Sequence, residues 1–151
     1  IFCIGEVLEE READKQNEES AYDYIIVDMP PAMNDFTENV LTICDYVYVP
    51  IELGTFAVQG LARVTQKIAN AGTKYACFAS KYDKGNKADQ ELLEIMKKNL
   101  GDKVLNTVIP FSRAIKNSIS YRITASEYMS WINPARCYER LADEIIRTVE
   151  Q

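Results

Sequence analysis

The sequence predicts an α/β fold in which helices cover both faces of a mainly parallel sheet. From Tyr22 onward, short runs of β-branched and aromatic residues alternate with segments of helical periodicity, as in strands that are joined by helical crossovers. The chain has 151 residues, of which 47% are hydrophobic. That length suffices for one domain with a substantial core and is short for two. We therefore expect residues 1–151 to form a single domain.

The predicted elements begin with a segment rich in glutamate. Residues 1–20 contain six glutamates, and we expect this segment to form an acidic opening helix that faces solvent. Runs of β-forming residues then predict four strands. They lie at residues 23–28, 46–51, 75–80 and 104–109.

The helices between these strands are indicated by apolar residues that recur every three or four positions. Asp35 and Glu38 have the spacing of a capping box for the first of them,. The spacing of Leu61, Val64 and Ile68 predicts the second, and a third ends before Gly101,. The final helix begins at Asn133, a favourable N-cap,.

Composition limits the classes of function. The four cysteines are scattered without a C-x-x-C pair and the chain has no histidine, which argues against a zinc site and favours a reduced, cytoplasmic protein. The apolar runs are far shorter than the roughly 20 residues of a membrane-spanning helix. We expect a cytoplasmic protein without a transmembrane segment.

Charge is divided unevenly along the chain. Residues 1–60 hold 13 acidic and two basic side chains, a net charge of -11, whereas residues 61–151 hold 10 acidic and 15 basic side chains, a net charge of +5. Only the second part is suited to contact a polyanion such as nucleic acid.

The most informative segment is the strand that ends in Asp28. An aspartate at the end of an apolar parallel strand lies where α/β sheets bind ligands, and one carboxylate can hold Mg²⁺ through water when phosphates supply the other ligands. Pro30 and Pro31 follow, and they give the chain a stiff exit from the strand.

Spaced matches along the chain resemble the ParA/MinD family of ATPases. The run from Asp28 to Ala32 resembles the start of the family's switch II region, and Ser80 to Asp83 resembles its turn beside the adenine. Val108, Ile109 and Pro110 resemble its I-P loop. Further matches that follow the switch are Thr37, Asn39, Leu41, Asp45, Val49, Pro50, Ile51, Phe56, Ala57, Gly60 and Leu61.

The resemblance implies a partial P-loop NTPase fold of the SIMIBI type and a set of site residues. Asp28 would be the Walker B carboxylate, with a catalytic role in holding Mg²⁺ through water. Pro30 and Pro31 would shape the switch. Ser80, Pro110 and Phe111 would border the adenine of ATP.

The family's Walker A loop precedes the aspartate by many more residues than the 27 that precede Asp28 here. We therefore expect this chain to be the C-terminal part of a ParA-like ATPase domain and to bind neither ATP nor Mg²⁺ by itself. The family also usually has serine at Ala32 and a Gly-Lys-Pro run at residues 122–124, so the resemblance defines the base pocket less closely than the Mg²⁺ position.

As the resemblance implies, the parent protein would be a homodimer that hydrolyses ATP and positions chromosomal DNA, plasmid DNA or other cargo in a bacterial cell. Its partners would be non-specific DNA and a ParB-like activator. Arg113, Lys116 and Arg122 are the candidate nucleic-acid contacts, since such side chains bind phosphates of any sequence. A non-catalytic interaction module and a MinD-like positioning ATPase are the alternatives.

The strand at residues 23–28 carries a further prediction. In folds of this type it lies beside the strand of the phosphate loop, so without that strand its apolar edge is open to pairing. We expect either a dimer that pairs there or coverage by the opening segment, residues 2–8.

Overall fold

A computed structural model of the chain describes residues 2–5, 23–30, 34–54, 57–129, 131 and 133–150. The strands in these ranges are β1 (Phe2–Gly5), β2 (Ile25–Asp28), β3 (Tyr46–Glu52) and β4 (Lys74–Ser80). The helices are α1 (Asp35–Ile43), α2 (Ala57–Asn70), α3 (Lys87–Leu100), α4 (Arg113–Tyr121), α5 (Ala125–Met129) and α6 (Asn133–Val149), with a 3-10 turn at Gly101–Lys103.

The four strands form one sheet in the order β2-β1-β3-β4. β1 lies between β2 and β3 and pairs antiparallel with both, so that Cys3 is opposite Val27 on one side and Val47 on the other. β2 and β3 therefore run in the same direction. The predicted α/β class is confirmed, and β1 is the exception to the predicted parallel arrangement.

The opening residues differ from the prediction. Phe2–Gly5 is a strand, whereas a helix was predicted over residues 1–20; residues 6–22 lie outside the described part of the chain. The physical reason is that the glutamates begin only at Glu6, and the preceding residues are bulky apolar types that favour strands, followed by Gly5,. β1 also pairs with β2, which is the second of the two arrangements expected for that strand edge.

The chain divides into two compact units, residues 1–49 with 63–76 and residues 50–62 with 77–151. β3, α2 and β4 each run from one unit into the other. The prediction of a single domain stays a prediction.

In the first unit, α1 and β3 supply much of the buried core, which includes Leu41, Val47 and Tyr48. α1 begins one residue earlier than the predicted capping box implies, because the Asn34 side chain accepts a hydrogen bond from the Thr37 backbone N–H at 3.0 Å,. Thr73 Oγ1 donates to the carbonyl oxygen of Leu41 at 2.5 Å, which joins the end of α1 to the residue that precedes β4.

In the second unit, β4 is buried over Cys77, Phe78 and Ala79, as are Leu93 on α3 and Leu141 on α6. The turn before α3 is held by Asp89, a buried carboxylate. It accepts hydrogen bonds from the Asp83 backbone N–H at 2.8 Å and from the Asn86 side chain at 2.9 Å. Because both partners lie in the turn, Asp89 fixes the chain that leaves the carboxyl end of β4.

α4 and α5 lie between residue 109 and Asn133, where the sequence analysis predicted no helix or strand. Several residues of α4 are isoleucine, serine, asparagine or tyrosine, which have modest helix propensity. The helix is held instead by tertiary packing, since Ser118 is buried and α5 contacts both α4 and α6. Propensity was overridden by packing at this point.

The cysteines also differ from the expectation of a fully reduced chain. Cys77 and Cys137 are buried and form no disulfide, but Cys44 is disulfide-bonded. Linear spacing alone does not predict which cysteines form disulfides. In the part of the chain that the structure describes, no helix is long and apolar enough to cross a membrane.

Candidate functional site

An open cavity of about 520 Å³ lies in the second unit, beside the last residues of β3 and β4. One wall is apolar and consists of Ile109, Pro110, Phe111, Ile115, Ile119 and Tyr138. The remaining lining is polar and consists of Glu52, Ser80, Lys81, Ser112 and Lys116. A volume of this size and an apolar wall with few polar groups are typical of small-molecule sites.

Ser80, Pro110 and Phe111, which the family resemblance predicted to border the adenine, all line this cavity. A backbone ladder brings them together. The Tyr82 N–H donates to the carbonyl oxygen of Ile109 at 3.0 Å, and the Phe111 N–H donates to the carbonyl oxygen of Tyr82 at 2.9 Å. Tyr82 and Pro110 thus form a parallel bridge, in which the flanking residues rather than Pro110 make the backbone hydrogen bonds, so that a residue without an N–H is tolerated.

Lys81 occupies the turn between β4 and this bridge. Its φ of 54° is in the left-handed region, which is uncommon for a residue other than glycine. Its ammonium lies 2.6 Å from a carboxylate oxygen of Glu52. Both side chains are largely exposed, so the ion pair contributes little to stability, and a ligand can compete for either charge.

Tyr138 contributes a polar group to the apolar wall of the cavity. Burial raises the pKa of its phenol, so the hydroxyl remains protonated at neutral pH. It can therefore donate a hydrogen bond to a ligand.

Asp28 is the last residue of β2, in the first unit, and its side chain is exposed. The following Met29 is buried and Pro30 is exposed; Pro31 lies outside the described residues. The described residues contain no cluster of three or more potential metal ligands. An exposed carboxylate at the end of a strand is compatible with a magnesium ion held through water, with phosphates as the other ligands,.

Residues 104–109, predicted to be a strand, contain only one isolated parallel bridge, at Val104, and a second bridge follows at Pro110. The reason is a carboxylate from α6. Glu144 accepts hydrogen bonds from the backbone N–H groups of Asn106 at 2.6 Å and Thr107 at 2.8 Å. The Thr107 N–H, which a regular ladder would direct to β4 two residues after Leu105, is consequently not part of the ladder,.

The pKa of Glu144 reflects this contact. Partial burial opposes ionisation, but the hydrogen bonds from Thr107 and Asn106 outweigh it and hold the pKa of the Glu144 carboxyl below its usual value. The carboxylate is therefore ionised at neutral pH, and its hydrogen bonds are charge-assisted.

The candidate nucleic-acid residues lie on and just beyond one helix. Arg113 and Lys116 are exposed on α4, three positions apart on neighbouring parts of its surface,. Arg122 is the C-cap of α4 and has left-handed backbone angles, φ 56° and ψ 38°. Glycine is usual at such a position.

Comparison with known proteins gives consistent matches. A family model described as an AAA domain matches residues 8–80. The chain is 33% identical over 132 residues to a chromosome-partitioning ATPase Soj from Treponema pallidum, and the match covers 83% of this chain and 52% of the relative. It is 32% identical over 141 residues to the sporulation initiation inhibitor protein Soj from Bacillus subtilis, with coverage of 89% and 54%.

The fold also matches a crystal structure, that of a plasmid partition protein from Borrelia burgdorferi. The TM-score is 0.54 at 22% sequence identity, and the match covers 75% of this chain and 49% of that one. The chain is therefore similar to ParA-like partitioning proteins. It spans about half the length of the curated relatives that it matches.

The cavity also contains residues that the sequence analysis did not select. Ile115 and Ile119 are four positions apart on one face of α4, and this spacing was a usable signal for the apolar wall. Glu52 and Tyr138 are distant from the motifs in sequence. Only the three-dimensional arrangement brings them to the cavity.

We predict that Glu144→Gln lowers the free energy of unfolding by about 1 kcal/mol at neutral pH, a value reduced for the partial exposure of this carboxylate. Because the pKa is lower in the folded chain, the ionised form stabilises the fold above the ordinary glutamate pKa of about 4.3. This stabilisation is lost as the pH falls through the folded pKa. Urea denaturation at pH 7 and at about pH 3.5 measures both effects.

The matched control is Asp143→Asn, which removes a neighbouring, exposed carboxylate on the same helix. It should leave the free energy of unfolding within about 0.5 kcal/mol of the unsubstituted chain. An equal loss for both variants, or a loss for Glu144→Gln that persists at low pH, would contradict the assignment.

Proposed function

We propose that the parent protein, meaning the full-length protein that contains these 151 residues, is a ParA-like ATPase that positions chromosomal or plasmid DNA, or another cargo, in the cytoplasm. One observation carries the proposal most directly. Ser80, Pro110 and Phe111, singled out from sequence as neighbours of the adenine, line one cavity although Ser80 is about 30 residues from the other two.

The chemistry of this cavity suits a purine. Phe111 is 59% exposed beside Pro110, so a planar base can cover an aromatic ring that otherwise faces water. Ser80 and Tyr138 provide hydroxyl groups for the polar edge of the base,. Lys81 and Lys116, on the lining of the same cavity, favour a ligand that carries negative charge.

In this proposal, Asp28 holds the magnesium ion. Bound there, the ion would neutralise charge on the phosphates during transfer of the terminal phosphoryl group. The chain's own contribution is to fix the carboxylate at the end of β2, between the strand and the buried Met29. The phosphate loop would lie in the part of the parent protein that corresponds to the half of the relatives not matched by this chain.

The partners in the proposal are a second copy of the parent protein, DNA of any sequence and a ParB-like activator. Arg113, Lys116 and Arg122 support DNA contact, because all three are exposed on or just beyond α4. A non-catalytic interaction module is the second candidate. It is favoured by exposed apolar side chains, notably Ile119 at 71% and Trp131 at 70% exposure, since such surfaces often contact other proteins.

For the parent protein, we predict that Asp28→Ala lowers the rate of ATP hydrolysis at least about 100-fold, because charge stabilisation of the transferring phosphoryl group is lost. The matched control is Asp23→Ala, which removes an exposed aspartate that precedes β2. The control should retain hydrolysis, and both variants should unfold at the same temperature as the unsubstituted protein. Hydrolysis at the normal rate by the Asp28→Ala variant would refute the magnesium assignment.

Phe111→Ala should raise the Kd for ATP about 5-fold or more, since stacking on an aromatic ring contributes about 1–3 kcal/mol per base. Affinity for inorganic triphosphate, which has no base, should not change. Trp131→Ala is the control, because that exposed indole is not part of the cavity lining. Calorimetric titration measures both ligands. An equal loss of affinity for ATP and triphosphate would show that Phe111 does not contact the base.

DNA binding by the parent protein should weaken uniformly across sequences when Arg113→Glu, Lys116→Glu and Arg122→Gly are combined. Glycine suits position 122 because of the left-handed backbone there,. Each lost phosphate contact should reduce the slope of log affinity against log salt by about 0.9.

A control with the same change in net charge combines Lys97→Glu, Lys98→Glu and Lys87→Gln on α3. These lysines are exposed and belong to a different helix. If both triple variants bind duplex DNA equally well, the contact surface does not include the end of α4.

A further inference from the structure

The cavity wall formed by Pro110 and Phe111 depends on an irregularity in the preceding backbone. The Leu105 N–H donates to the carbonyl oxygen of Cys77 at 2.8 Å, and the next such bond joins the Ile109 N–H to Ala79 at 2.9 Å. A regular parallel ladder advances by equal steps on both strands. Between these two bonds the chain advances by four residues, from 105 to 109, while β4 advances by two, from 77 to 79. Residues 106–108 therefore form a bulge with two extra residues.

Glu144 occupies this bulge from outside the ladder. Its two carboxylate oxygens accept the N–H groups of Asn106 and Thr107 at 2.6 and 2.8 Å, and Asn106 Nδ2 lies 3.3 Å from one of the same oxygens. The carboxylate therefore pairs the Thr107 N–H, the donor that the bulge removes from the ladder, together with the neighbouring Asn106 N–H. Bulges next to sites commonly serve to direct the residues that follow them.

The residues that follow the bulge are those of the cavity wall. Ile109, Pro110 and Phe111 come directly after it, and their register against β4 is set by the Ile109–Ala79 bond and the Tyr82 bridge. If Asn106 and Thr107 were released, the two extra residues would be free to redistribute. Pro110 and Phe111 would then shift relative to Ser80, which lies on the continuous strand β4.

We propose that Glu144 is a positioning residue for nucleotide binding, because its carboxylate fixes the bulge that sets Pro110 and Phe111 against Ser80. This inference rests on the proposed function. Glu144 is not part of the cavity lining, so it acts through the backbone and not by contact with the ligand. Glu144 should therefore affect how the base of the nucleotide is bound and should leave the rate of phosphoryl transfer unchanged.

The test compares Glu144→Ala, Glu144→Gln and Asp143→Asn in the parent protein. Glu144→Ala should raise the KM for ATP about 10-fold while kcat stays within about 2-fold, as expected when binding that is equal in the ground and transition states is lost. Glu144→Gln keeps one carbonyl acceptor, so its effect should be smaller. Asp143→Asn should have no effect, and inhibition by inorganic triphosphate should be the same in all variants.

Amide hydrogen exchange of the 151-residue chain without nucleotide provides the structural measurement. Exchange at Asn106, Thr107 and Phe111 should be faster in Glu144→Ala than in Asp143→Asn, with α3 unchanged as an internal reference. Unaltered exchange at Phe111, an unchanged KM, or an equal fall in kcat would overturn the positioning role. Failure of the unsubstituted parent protein to bind ATP would instead overturn the proposed function, and this inference with it.

Discussion

The candidate site depends on the backbone ladder between β4 and residues 104–111. Its hydrogen bonds lie between 2.8 and 3.0 Å, and they place Pro110 and Phe111 beside a strand that is buried over most of its length. Buried backbone groups must be paired, so this ladder is strongly specified. Where the ladder is regular, it positions the cavity wall and the turn at Lys81. Where it is interrupted, Glu144 on α6 accepts backbone hydrogen bonds.

The parts of the fold that sequence patterns predict are those whose causes are local. β3, β4 and α6 were predicted within one or two residues, because β-branched runs and a Pro-containing helix start are readable in a short window. Ser80, Pro110 and Phe111 were found through short motifs. These motifs lie at the ends of strands, and the carboxyl ends of parallel strands meet at one edge of the sheet, where ligands bind.

The features that the sequence did not predict arise from contacts between distant segments. Glu144 accepts hydrogen bonds from Asn106 and Thr107, which precede it by 38 and 37 positions in the chain. No sequence pattern around Glu144 or around these two residues indicates the pairing. β1 lies between β2 and β3 although its neighbours in sequence are acidic. α4 forms from residues of modest propensity and packs against α5, with Ser118 buried. In each case tertiary structure decides between local alternatives.

The central claim is that the cavity between β4 and α4 receives the base of a nucleotide. Photolabelling of the parent protein with 8-azido-ATP, followed by peptide mapping, tests it directly, since the azide reacts with side chains in contact with the purine. The account predicts labelled peptides that contain residues 80–82 or 109–112, with labelling abolished by excess ATP. Competable labelling confined to peptides elsewhere in the protein would contradict it.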